Sequence, residues 1–148
     1  MPMIRFVTGT GVGVGKTVAT AVLARRDVEN GKRVAYLKPV ETGAGPDDIG
    51  DAAFIADAVG IPTHEALRFS ARLDPALAAE QGAVSIGLDW LVDLARAHAS
   101  AVADLFDGEF RQNRGVDHLL FFQFDEPGVG AKRIRHALFD EVFLPFGG

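Results

Sequence analysis

The segment that most limits what this chain can fold into is Gly9 to Thr17, GTGVGVGKT, set between a short apolar run and a stretch with helical apolar spacing. The run Met3 to Val7 is closed by Thr8 and Gly9, the bounds expected of a buried parallel strand. Thr17 to Val28 carries Val18, Ala21, Val22 and Ala24 ahead of a charged turn, so it reads as an amphipathic helix ending near Asn30 or Gly31. Between the two, glycines let backbone N–H groups turn inward without a Cβ in the way, and the helix N-terminus adds the positive end of its dipole. Lys16 is placed to reach the outer phosphates of a nucleotide, and Thr17 to offer its hydroxyl to Mg²⁺. The segment reads as a cradle for ATP or GTP phosphates, with Gly13, Val14, Gly15, Lys16, Thr17 and Val18 as its nucleotide-binding residues. The strict spacing G-x-x-x-x-G-K-[ST] would need glycine at Thr10, so the match is to a form one residue longer, from Gly9 to Gly15. Overlapping G-x-G pairs weakly fit a dinucleotide site, but the second strand ends in Lys38 where an acidic residue would be needed.

The rest of the chain extends this strand–loop–helix start. Arg33 to Lys38 is again short and apolar, with Pro39 expected to stop it, which completes a βαβ unit. The Gly-rich and acidic stretch Glu41 to Asp51 reads as a loop on the sheet edge that carries the glycine segment, leading into a helix from about Asp51 to Val59. Asp74-Pro75 reads as a helix start for PALAAEQ, and Leu88 to Leu105 has apolar spacing of three and four. HLLFFQF, His118 to Phe124, is an apolar run ending in Asp125-Glu126. Trp90 is expected to anchor a helix, and Phe121, Phe122 and Phe124 to fill the sheet core. The fold class expected is α/β, a P-loop NTPase-like parallel sheet flanked by helices, in a single domain over the 148 residues.

Composition narrows the function. A formal net charge of −5 with no long Lys/Arg run argues against nucleic acid as a partner. The chain has no cysteine, which removes thiolate metal sites, and His64, His98, His118 and His136 lack metal-ligand spacing. The opening residues are too short of apolar side chains for a signal segment and no stretch has the length of a membrane span, so a cytoplasmic protein is expected.

The pairing of GTGVGVGKT with KPVETG, Lys38 to Gly43, resembles dethiobiotin synthetase, and the resemblance continues through GDAAFIADA, DPALAAEQGA and LDWLVDLARAHA, about to residue 105. It implies ATP- and Mg²⁺-dependent ring closure: a carbamate made from diaminopelargonic acid and CO2 or bicarbonate is phosphorylated, and the neighbouring amine displaces phosphate to give dethiobiotin. It also implies a homodimer. Lys16 would neutralise phosphate charge, Lys38 would hold the carbamate and the transferring phosphoryl, Thr42 would hydrogen-bond substrate, and Thr17 and Asp51 would be Mg²⁺ ligands. Each has a plainer reading: Lys38 as a solvated strand-end lysine, Asp51 as a helix N-cap, Thr42 as turn chemistry.

This sequence departs from the family at Gly11 and Val12, where Asp and Thr are common, and lacks the V-E-G-A-G-G segment whose Glu binds Mg²⁺. Glu126, after the apolar run, is the candidate replacement, or else part of an acidic turn before Pro127-Gly128. Residues 106–148 diverge from the family, and the chain stops short of a full synthetase, so the fold is expected to be truncated. The alternatives are a nucleotide-binding module without catalysis, or another P-loop ATPase using Asp125 and Glu126.

Overall fold

The computed structural model describes residues 3–109 and 118–123. The elements run β1 (Met3–Val7), α1 (Lys16–Glu29), β2 (Arg33–Thr42), α2 (Asp51–Val59), β3 (Thr63–Phe69), α3 (Pro75–Gln81), α4 (Leu88–Glu109) and β4 (His118–Gln123). The four strands form one sheet in the order β1-β4-β2-β3, with every neighbouring pair parallel.

Parallel strands need crossovers that cover both faces of the sheet, and period-two alternation along β2 supplies the two buried faces. Ala35 and Leu37 pack against Leu91, Val92, Ala95 and Ala99 of α4. Val34 and Tyr36, with Phe121 of β4, pack against Ala24 of α1 and Ala52, Ile55 and Val59 of α2. Trp90 joins the first of these clusters, as its helical spacing predicts. Phe121 is fully buried, with the Arg5 guanidinium 5.3 Å from its ring centroid.

Helix ends follow local chemistry. Gly31, at φ +77°, closes the turn after α1 by donating its N–H to the Val28 carbonyl. Asp74 caps α3, accepting from the N–H groups of Ala76 and Leu77 at 2.9 and 3.1 Å, with Pro75 at the first helical position.

Two expectations are corrected here. Pro39 does not stop the second strand, because β2 pairs with β4 only as far as Leu37 while its pairing with β3 continues to Thr42. Beyond Leu37 the strand has one neighbour among the described residues, so the missing N–H of Pro39 removes no ladder bond on the β4 side. The stretch between α2 and Asp74, to which the sequence assigns no element, contains the edge strand β3. Glu65 and Arg68 interrupt its apolar pattern because they serve the site rather than the core.

Candidate functional site

All strands are parallel, so their C-terminal ends lie along one edge, where loops and helix N-termini meet. There Gly11, Gly13, Lys16, Thr17 and Val18 from the glycine segment face Glu41 and Thr42 from β2, Asp51 from α2 and Leu73 to Pro75, across a cleft of about 400 Å³.

The glycine segment needs its glycines at two places in particular. Gly13 and Gly15 have φ of +72° and +93°, a region that L side chains rarely adopt, and Gly15 is the N-cap of α1. Lys16 curls back over the loop and donates from Nζ to the Gly11 carbonyl at 2.6 Å. Val14 and Val18 are more than half exposed; Val18 lines the cleft, whereas Val14 packs over Gly9, where a Cβ would come within 2.8 Å of Val14 Cγ2.

Lys38 is not a solvated lysine: it is fully buried, and its Nζ donates to Asp51 Oδ2 at 2.6 Å. Asp51 is not the N-cap of α2, since Gly50 holds that position without a side-chain cap. Its carboxylate is turned to the ammonium instead, and its backbone N–H is taken by Glu41 Oε2 at 2.8 Å. Burial pushes the Glu41 carboxyl above its usual range, against the opposing pull of the Lys38 ammonium and the Asp51 N–H. Thr42 is the last residue of β2, at the cleft wall, rather than a turn residue.

Beneath Asp51 the charges are locked laterally. Arg68 binds Glu65 through both Nε and Nη2, at 2.7 and 3.0 Å, and reaches the carbonyls of Gly45 and Asp48 through Nη1. These bonds fix the loop between β2 and α2, and so the position at which Asp51 enters its helix.

Gln123, like Glu41, is a site residue that sequence reasoning missed. It ends β4, the strand beside β1, and is fully buried. Its Nε2 donates to Thr17 Oγ1 at 3.1 Å and to Asp51 Oδ2 at 2.9 Å, while Oε1 accepts from Thr20 at 3.2 Å. A polar residue closing the apolar run HLLFF is the one signal that could have pointed to it. Glu126, the acidic candidate from that segment, lies outside the described residues, as do Asp125 and Phe124.

Comparison with known proteins finds matches over the first two thirds of the chain. A family model described as an AAA domain matches residues 5–105. The chain is similar to the ATP-dependent dethiobiotin synthetase BioD of Frankia casuarinae, 44% identical over 87 residues, which are 57% of this chain and 37% of that protein. The synthetase of Streptomyces coelicolor is 45% identical over 82 residues, 55% of this chain and 34% of the relative, and that of Rhodococcus erythropolis 43% identical over 96 residues, 63% and 42%. The chain thus spans well under half the length of these relatives. Among solved structures, the signal recognition particle receptor FtsY of Elizabethkingia anophelis in complex with GDP covers 96% of this chain and 37% of its own at 18% identity and TM-score 0.45, a likeness too loose to bear on the site. Strand, glycine loop and helix under a parallel sheet flanked by helices make the fold α/β and P-loop NTPase-like. Among the described residues no helix is long and apolar enough to cross a membrane.

Proposed function

The chain belongs to the AAA domain family, matched over residues 5–105, and on that footing we propose that it binds Mg-ATP and catalyses the ring closure of a diaminopelargonic acid carbamate to dethiobiotin. The observation that carries the proposal is the buried Lys38, held at the end of β2 against Asp51 and on the same edge as the glycine segment. Burying a lysine costs several kcal/mol unless it is paired; Asp51 supplies the pairing, which fixes both charges on the edge that carries the glycine segment.

The residues fit the groups the reaction needs. Thr17 and Asp51 are hard oxygen donors of the kind Mg²⁺ takes, and they are brought within reach of one amide, that of Gln123. Among the described residues no group of three or more His, Cys, Asp or Glu is placed to hold a metal ion, so most ligands of a cation here would be phosphate and water oxygens. Bound Mg²⁺ would neutralise charge on the nucleotide phosphates. Gly13, Gly15 and the N-terminus of α1 present N–H groups to the phosphates, and Lys16 exchanges the Gly11 carbonyl for a phosphate oxygen. Lys38, fully buried behind the cleft wall, would have to turn from Asp51 to meet the carbamate anion, and Thr42 would hydrogen-bond the substrate. Phosphoryl transfer from ATP to the carbamate oxygen leaves ADP; attack of the second amine on the carbamoyl carbon then forms the C–N bond and expels phosphate. Such chemistry asks for positioning and charge neutralisation rather than a covalent protein nucleophile. A homodimer and a cytoplasmic location belong to the same proposal.

The test is ADP release by the purified protein with Mg-ATP and bicarbonate, with and without diaminopelargonic acid, beside Lys16→Ala. Stimulation by the diamine that disappears in the variant is expected. ATP binding that the diamine leaves unchanged would sink the ring-closure assignment and leave the second reading, a nucleotide-binding module without ligase chemistry. That reading is favoured by GVDHLLFFQFDEPGVG, Gly115 to Gly130, which stands where the family carries its V-E-G-A-G-G segment.

A further inference from the structure

Gln123 joins two groups that the proposed reading treats as cation ligands, and it does so from a strand 106 residues further along the chain than Thr17. Its orientation is determined by its partners. Asp51 Oδ2 can only accept, so the amide NH2 must point to it, which turns Oε1 toward Thr20. The single Thr20 hydroxyl proton is shared between that oxygen at 3.2 Å and the Lys16 carbonyl at 2.8 Å, which ties the amide to the first turn of α1.

The same bonds decide what Thr17 and Asp51 have left to offer. Thr17 Oγ1 spends one lone pair on the amide and keeps the other. Asp51 takes both Lys38 and Gln123 on Oδ2, so Oδ1 is the oxygen left to the cleft that Asp51 lines. Gln123 is neutral, and it sits where a carboxylate would add a second full negative charge beside Asp51.

We propose that Gln123 is a positioning residue for a divalent cation at this site: its amide aims the Thr17 hydroxyl and the Asp51 carboxylate, and its neutrality keeps the cation weakly held until nucleotide phosphates complete the ligand set. This rests on the phosphate-loop reading above, but not on ring closure. Amides and carboxylates that orient metal ligands without touching the metal commonly govern affinity by about 10- to 100-fold.

The experiment is Mn²⁺ binding to the whole chain by electron paramagnetic resonance, with and without ADP, in the wild type, Gln123→Leu and Gln123→Glu, with ADP binding measured separately in EDTA. With ADP present, Gln123→Leu is expected to bind Mn²⁺ about tenfold more weakly, because Thr17 and Asp51 lose their common donor. Gln123→Glu is expected to bind it about tenfold more tightly, because the site gains a charged oxygen ligand. Gln123→Glu should also lose thermal stability in EDTA and regain it with Mn²⁺, which a residue that merely packs would not do. If Gln123→Leu does not fold, the Gln123→Glu result decides alone. Mn²⁺ affinity in Gln123→Glu no greater than in the wild type, with ADP still bound, overturns the role of Gln123 and leaves the phosphate loop standing. ADP that binds to none of the three chains overturns both.

Discussion

Replacing Asp51 with Asn should cost about 3 kcal/mol of folding free energy, because it removes the carboxylate that the fully buried Lys38 ammonium donates to. At the 2.6 Å separation of Lys38 Nζ and Asp51 Oδ2, the Coulomb attraction at an effective dielectric of 20 is about 6 kcal/mol before desolvation is subtracted. Removing one partner of a buried pair usually costs about 3 to 5 kcal/mol, and the low end applies because the Asp51 side chain is 25% exposed and water can relax around it. Lys38→Met should cost less, about 1 to 2 kcal/mol, since Asp51 keeps Gln123 and some solvent. In the double variant the buried ammonium is gone together with its carboxylate, so the loss should be about 2 kcal/mol rather than the sum, a coupling of about 2 to 3 kcal/mol. Urea unfolding of the four chains measures this directly, and Asp51→Asn alone should lower Tm by about 10 °C. Single-variant losses that add to within about 0.5 kcal/mol would refute the claim that Asp51 compensates the Lys38 charge.

Two further predictions concern the surroundings of the site. Gly50 has φ −82°, open to any residue, yet a Cβ there would lie 2.5 Å from Arg68 Nη2 and 2.8 Å from Glu65 Oε2, so Gly50→Ala should cost about 2 kcal/mol in a thermal melt by dislodging Arg68; a loss under about 0.5 kcal/mol would mean that the Arg68 lock yields freely. His98 stacks on His64 at 5.4 Å, and burial, then the neighbouring His64 charge, lower it from 6.5 to about 4. Between those values the unfolded chain binds a proton that the folded chain refuses, so stability falls as pH drops from about 6.5 and levels off below about 4, by about 1 to 3 kcal/mol; His98→Phe should flatten that slope in urea titrations, and an unchanged slope would contradict the assignment.

Short-range chemistry made much of this molecule legible. The strand Met3–Val7, the glycine segment, α2 at Asp51–Val59 and the Asp74-Pro75 start of α3 all stand where local pattern places them, because strand alternation, capping and turn geometry are set by residues within a few positions of one another. The strand β3 was not legible, since its Glu65 and Arg68 look like surface residues until the Lys38↔Glu65 and Glu41↔Arg68 register sets them beside β2. Pro39 looked like a stop because the point at which pairing with β4 ends among the described residues is a property of the sheet and not of the dipeptide.

Local pattern was enough to place a P-loop at the opening of a βαβ unit, because the glycines act through backbone conformation and helix dipole and Lys16 and Thr17 stand directly beside them in the chain. The burial of Lys38 against Asp51, and the grip of Gln123 on Asp51 and Thr17, come from long-range packing. Those contacts join residues 13, 72 and 106 positions apart, and a sequence pattern cannot say which polar side chain will end up desolvated beside which other.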